Sequence, residues 1–250
     1  MLNYSNCLEM KLKKVKYLHV DISKNQLLKK KIKKYLNIDY VINLGGEVEH
    51  NNFAKVYQSH FIGLKNISNI FLKKKIKRFI QIGSSMEYGK KKSPQTEKSL
   101  CKPISHYGKI KYKASNYLIY LYRKYKFPVT IIRPYQIYGP AQFQNRIIPF
   151  VIYNCLKSKK FACSSGTQYR DFLYVSDFVD AINRCLITKK EINGEIINIG
   201  FGKPLNVKKI INFIKIKIKK GIPEFGKIKF RKEENLITYP SISKSNKLIG

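Results

Sequence analysis

The stretch SHYGKIKYKAS, residues 105–115, sets Tyr107 and Lys111 four residues apart. On a helix that spacing is one turn, so both side chains project from one face. A phenol ordinarily releases its proton near pH ~10, and an ammonium group held beside it favours the phenolate, which suits the pair to exchanging a proton with a substrate hydroxyl. The chain has 18 tyrosines and a large surplus of lysine, so the spacing alone says little. Its setting says more. Just upstream, RFIQIGSSMEYG reads as a strand whose end carries Ser84 and Ser85. In a parallel sheet that end is where ligand sites form. A serine hydroxyl there can hold a substrate oxygen while the tyrosine exchanges its proton, or it can simply cap a turn.

These side chains need elements to hold them. Short β-type runs alternate with longer amphipathic ones. VKYLHVD (15–21), DYVINLG (39–45), RFIQIGS (78–84), PVTIIRP (128–134) and GEIINIG (194–200) read as strands, and helices are expected over 24–36, 52–75, 107–125, 145–157, 176–187 and 206–219. The alternation predicts an α/β fold around a parallel sheet. Beyond residue 134 it becomes less regular. A soft boundary is therefore expected near residue 134, with a smaller C-terminal lobe beyond it. Lysine runs such as LKKKIKKYL keep apolar residues at helical spacing and read as helix faces.

At 250 residues and 44% hydrophobic, the chain can bury a core. Its formal charge of +35 raises nucleic-acid binding as a possibility. Only seven of the 50 basic residues are arginine, and the lysines are spread through nearly every segment. The guanidinium forks that read bases and phosphates are scarce, so no nucleic-acid partner is expected and the charge is read as a solvated surface that draws in acidic substrates. Cys7, Cys101, Cys155, Cys163 and Cys185 are odd in number, widely spaced and without CxxC. They indicate neither a disulfide framework nor a metal site and fit a cytoplasmic setting. No apolar run approaches the ~18 residues of a membrane span, so no membrane partner is expected either.

Several segments, taken in order, resemble the extended short-chain dehydrogenases/reductases of the NAD-dependent epimerase/dehydratase family, the nucleotide-sugar type. YLHVDISK is similar to the segment whose acidic residue, here Asp21, meets the cofactor's adenine, with Ile22 beside it. VINLGG resembles the turn over the cofactor, which places Leu44, Gly45 and Gly46 there. GSSMEYG matches the segment in which the catalytic Ser or Thr lies four residues before the tyrosine of YG, here Ser84, with Ser85 next to the substrate. The resemblance makes Tyr107 the acid/base and Lys111 the residue that binds the nicotinamide ribose and lowers the tyrosine pKa. IIRPYQIYGP is similar to the strand end near the nicotinamide, carried by Pro134 and Tyr135. YRDFLYVSDFVDAI resembles the segment whose arginine, here Arg170, reaches the substrate diphosphate, and QNRIIPFV sets Asn145 and Arg146 where the family lines the nucleotide pocket.

The resemblance implies a Rossmann-like doubly wound sheet, with residues 1–134 a partial dinucleotide-binding domain and residues 135–250 mainly a substrate-binding lobe with some elements returning to the sheet, NAD or NADP as cofactor, a nucleotide-sugar substrate and, if the chain is complete, a homodimer. Two departures matter. The family's opening strand and GxxGxxG turn have no counterpart, and the sequence stops at SNKLIG. The expectation is therefore a sheet lacking its first βαβ elements, in an enzyme cut short or, alternatively, in a truncated, inactive nucleotide-binding remnant. Dehydratases of the family carry Asp-Glu directly after the catalytic residue, whereas Ser85 and Met86 stand here. Glu87 comes one residue later and, on a strand, faces the other way. That disfavours a 4,6-dehydratase and leaves nucleotide-sugar epimerisation or reduction of a 4-keto sugar, with Ser84, Tyr107 and Lys111 as proton relay.

Overall fold

The computed structural model describes residues 14–47, 49–230 and 234–250. Four strands form the central sheet: β1 (Tyr40–Asn43), β2 (Arg78–Ile82), β3 (Val129–Pro134) and β8 (Ile196–Ile199), in the order β1-β2-β3-β8. Every pairing is parallel, with Ile80 opposite Ile42 and Thr130, and Ile132 opposite Ile197. Parallel strands require crossovers, and the helices supply them on both faces, which makes the sheet doubly wound.

Side-chain alternation decides which face each strand residue serves. Phe79, Val129 and Ile131 point to one face and pack with Leu64 and Phe71 of helix α3 (Leu64–Phe71) and with Ala114, Leu118 and Leu121 of helix α4 (His106–Tyr125). Ile80, Ile132, Ile197 and Ile199 point the other way. They meet Phe178, Ile182 and Cys185 of helix α6 (Val175–Ile187). A third cluster joins helix α5 (Ile147–Leu156) to helix α7 (Val207–Ile218) through Val151, Cys155, Val207 and Ile211, with Phe161 and Cys163 beside them.

The expected strands at 39–45, 78–84, 128–134 and 194–200 are present within a residue or two, as are the six expected helices. One expectation fails. Residues 15–21 form no strand, and β1 closes that side of the sheet. Val15, Tyr17 and Leu18 are 48%, 43% and 42% exposed. Strand-like composition does not by itself make a strand, because a strand's backbone groups are satisfied by the ladder of a neighbouring strand. Instead the chain turns at Asp21, whose carbonyl accepts from the Lys24 amide, and enters helix α1 (Asn25–Ile32).

The expected helix over 52–75 is built in three parts: α2 (Phe53–Tyr57), a π-helical segment over Gln58–Gly63, and α3. Seven short strands escaped the sequence reading, among them β4 (Gln136–Tyr138) paired with β7 (Phe172–Tyr174), and β6 (Tyr169–Arg170) between β9 (Leu205–Asn206) and β11 (Ile237–Thr238). Among the described residues no helix is long and apolar enough to cross a membrane.

Leu118 is fully buried between α4 and the sheet. Leu118→Ala leaves a cavity there and is expected to lower unfolding stability by roughly 3–4 kcal/mol in urea denaturation, with the m-value unchanged.

Candidate active site

Strand β2 ends at Ile82, and Gly83 continues its ladder by donating to the Ile132 carbonyl at 2.7 Å. Ser84 then caps a 3-10 turn, Ser85–Tyr88. The Ser84 hydroxyl oxygen accepts the Met86 amide at 3.1 Å, and Glu87 Oε1 accepts the Ser84 amide at 2.8 Å. This reciprocal capping satisfies the turn's first donors and fixes the Ser84 side chain. The hydroxyl oxygen caps the turn, and a hydroxyl that accepts in this way still has its proton to donate.

The placement of Glu87 corrects the sequence reading. It stands on a turn, not a strand, and its carboxylate is turned into the protein, where Oε2 accepts from Arg133 Nε at 3.0 Å and Nη2 at 2.6 Å. Both side chains are essentially inaccessible. Gly83 is required by this arrangement, because a Cβ there would lie 2.6 Å from Glu87 Oε1.

Ser105 caps α4 by accepting the Gly108 amide at 3.1 Å, which brings Tyr107 and Lys111 to the turn. Gly108 allows the approach: a Cβ would come within 2.7 Å of the Met86 carbonyl. Lys111 is buried, and its Nζ donates to the Ile82 carbonyl at 2.7 Å. Burial lowers its pKa to about 8, against the opposing pull of Glu87. Tyr107 lies within hydrogen-bonding reach of the Ser84 side chain, yet burial pushes its pKa up to about 12. The expectation that Lys111 holds the phenol down is therefore not met. The ammonium faces the β2 carbonyl and sits 5.8 Å from the Tyr107 ring centre, so desolvation outweighs it.

The sequence reading missed the histidines around Tyr107. His50 stacks on its ring with centroids 3.8 Å apart and planes 12° from parallel, and His60 meets its edge at 5.2 Å. His60 belongs to the π-helical segment; such bulges recur at functional sites. Its Nε2 contacts the Glu47 carbonyl at 3.0 Å, so Nε2 carries the proton, while the buried Nδ1 has no partner among the described residues. Burial lowers its pKa to about 4. The only available signal was three of the chain's four histidines lying at 50, 60 and 106 near a YxxxK pair.

Toward the expected cofactor side, Asp21 is exposed, and one carboxylate oxygen accepts the Ser23 amide at 2.9 Å, which holds its pKa below the usual range. Asn66 ties this turn down by donating to the Ile22 and Ser23 carbonyls, each at 3.0 Å, and Ile22 packs against Gly45 and Gly63. Leu44 is exposed just past β1, and Gly46 lies so close to the His60 ring that no Cβ fits. Pro134 ends β3. Tyr135 is buried and donates its hydroxyl to Gln95 at 2.8 Å.

A cleft of about 540 Å³ opens beside the turn, and Ser85, Met86, Tyr135, Asn145, Arg146 and Arg170 all line it, as does His50. Asn145 and Arg146 stand exposed at the start of α5. Arg170 is largely buried, donates to the Tyr169 carbonyl at 2.7 Å and pairs with Glu234. Glu234 and Asn235, also in the cleft wall, were not singled out by sequence. Their signal was an acidic pair, EEN, in a chain with only 15 acidic residues. Asp171, next to Arg170, is fully buried and accepts the Phe201 and Gly202 amides at 2.8 and 2.6 Å, which locks β7 to the loop after β8.

Lys111 makes stability depend on pH. Below pH 8 it is protonated in both folded and unfolded chains, and its burial weighs against the fold. Between pH 8 and 10.5 only the unfolded chain keeps the proton, so stability rises with pH. Lys111→Met lacks this group. The stability gap between that variant and the parent is expected to close by up to about 3 kcal/mol from pH 7 to pH 10.5 in urea titrations, and a constant gap speaks against a buried, protonated Lys111.

Residues 2–200 match the NAD dependent epimerase/dehydratase family. A dTDP-D-glucose 4,6-dehydratase of Mus musculus is 30% identical over 189 residues, covering 71% of this chain and 52% of that protein. A UDP-glucuronate 4-epimerase of Thermodesulfobacterium geofontis is 29% identical over 246 residues, covering 94% of this chain and 73% of its own. Among solved structures, the UDP-glucuronic acid 4-epimerase of Bacillus cereus, crystallised with UDP-glucuronic acid and NAD, superposes with a TM-score of 0.87 at 27% identity, over 98% of this chain and 78% of that one. The chain thus spans about half the length of the dehydratases it matches. With that match and the Ser84, Tyr107 and Lys111 arrangement at the end of a doubly wound parallel sheet, the chain belongs to the NAD-dependent epimerase/dehydratase family.

Proposed function

We propose that this chain carries the catalytic and substrate-binding part of an NAD-dependent enzyme that acts on a nucleotide sugar, as a 4-epimerase or a 4-keto-sugar reductase. The observation that carries the reading is the convergence of Ser84, Tyr107 and Lys111 at the end of β2, beside a cleft that Arg170 also lines.

The residues present suit the cofactor. Lys111 has two N–H donors beyond the one given to Ile82, enough for ribose hydroxyls, and Asp21 keeps free carboxylate oxygens for others. Gly45 and Gly46 leave the β1 end without side chains. When bound, NAD supplies the acceptor or donor of a sugar hydride. The rest is done by the chain. The Ser84 hydroxyl donates to the sugar oxygen at the reacting carbon, Tyr107 takes or gives the proton of that oxygen, and Lys111 holds positive charge beside the phenol. Arg170 binds the diphosphate by exchanging Glu234 for phosphate oxygens, a substitution that its planar fork favours. Asn145 and Arg146 contact the nucleotide from the rim, and Pro134 and Tyr135 form the wall near the nicotinamide.

Epimerisation or reduction is favoured over dehydration by what the cleft offers. Expelling water needs an acid and a base beside the hydride step. Ser85 and Met86 face the cleft, Glu87 is turned inward to Arg133, and among the described residues the carboxylate in the cleft wall, Glu234, is paired with Arg170.

Turnover is tested with UDP-glucuronic acid, UDP-glucose and a 4-keto nucleotide sugar, products being resolved by NMR. Tyr107→Phe is expected to lower kcat by roughly 10²- to 10⁴-fold, and Arg170→Met to act mainly on KM. Undiminished activity in Tyr107→Phe sinks the mechanism. Absence of NAD binding by calorimetry, with no turnover of any of the three sugars, favours a truncated, inactive remnant instead.

A further inference from the structure

The strongest unassigned feature is the buried carboxylate of Glu87. It is fully inaccessible, and each of its oxygens is committed: Oε1 accepts the Ser84 amide, and Oε2 accepts two N–H groups of Arg133. Arg133 lies on β3, stacks over the Tyr88 ring at 4.6 Å and is 1% exposed. Burial works against its charge, and the Glu87 carboxylate more than offsets this, so Arg133 stays firmly protonated. Tyr88 in turn donates to Asn198 on β8 at 2.7 Å. A chain of contacts therefore runs from β8 and β3 through Glu87 to the peptide of Ser84.

We propose that Glu87 is a positioning residue for the Ser84, Tyr107 and Lys111 set: locked by Arg133, its carboxylate fixes the Ser84 peptide so that the serine hydroxyl keeps its proton for the substrate, and the same carboxylate places a negative charge at the site. The proposal rests on the functional reading above for its kinetic consequence, but not for its electrostatic one. The geometry leaves few competitors. Among the described residues Arg133 is the cation paired with Glu87, and the charge of Glu87 also reaches Cys101, Tyr107 and Lys111. Around Lys111 lie Tyr107 on its own helix, the neutral His60 from the π-helical segment, and the Ile82 carbonyl. Glu87 is the charge that sustains the lysine's proton there, and it also acts on Tyr107.

The test follows Lys111 in the whole chain by NMR of its side-chain resonances, identified by their loss in Lys111→Met. In the parent the group is expected to titrate near pH 8. Glu87→Gln keeps the shape but not the charge, and the midpoint is expected to fall. Because that variant leaves Arg133 charged and alone in the interior, Glu87→Gln/Arg133→Met is made beside it, and in this pair, with circular dichroism unchanged, the midpoint falls as well. Glu87→Asp retains the charge and keeps the parent midpoint. A folded double variant in which Lys111 titrates as in the parent overturns the proposal, as does a fall in Glu87→Asp as large as in Glu87→Gln. Kinetically, the double variant is expected to lose roughly 10- to 100-fold in kcat with KM within about threefold, and a loss confined to KM overturns the positioning role. If the parent turns over no nucleotide sugar, the functional reading fails while the Lys111 titration still decides this inference.

Discussion

Two opposite charges, Glu87 and Arg133, meet where water does not reach, and the active end of the molecule is organised around them. Removing one partner of such a pair costs roughly 3–5 kcal/mol, because the other is left charged in a poorly polarisable interior. The local backbone is arranged so that neither stands alone. Gly83 gives the carboxylate room, the Ser84 amide takes its second oxygen, and the ring of Tyr88 lies under the guanidinium. The end of β2, the side chain of β3 and the turn that carries the serine thus behave as one unit.

Much of this was legible in the sequence, for physical reasons that can be named. β2 and β3 are buried on both faces and read as short β-type runs rich in Ile, Val and Phe, while α4 shows its apolar spacing. The Ser84, Tyr107 and Lys111 set could be read because the segments that carry it resemble the family's in order, and a strand end and one helical turn can hold such side chains together. Glu87 was misread because a strand's alternation was extended past Gly83, where the chain folds into a 3-10 turn whose residues advance by a third of a circle, not a half. Residues 15–21 were misread because composition describes which face a strand could bury, and says nothing of a neighbour. The pairing of Arg170 with Glu234, 64 residues later, and the gathering of His50 and His60 on Tyr107 depend on tertiary contacts that no local pattern encodes.

The site's titratable groups are ruled more by burial than by neighbouring charge. Lys111, Tyr107 and His60 all shift toward their neutral forms, despite a formal charge of +35 that would by itself favour the phenolate. The surface lysines are solvated and screened over roughly 8–10 Å at ordinary ionic strength, so they set the field that an anionic substrate meets outside the cleft and leave proton affinities within it to the few groups in contact.

The outer edge of β1 has a further consequence. Among the described residues it has no partner strand, and Tyr40 and Ile42 lie exposed along it at 41% and 39%. A bare edge of this kind is a template on which a second chain can zip, and proteins commonly guard such edges with lysine. Here the guard is the charge of the whole molecule: α1, nearby in sequence, contributes Lys29, Lys30 and Lys31, and every copy repels every other. Colloidal behaviour is thereby tied to ionic strength, with salt acting as the agent that lets edges meet.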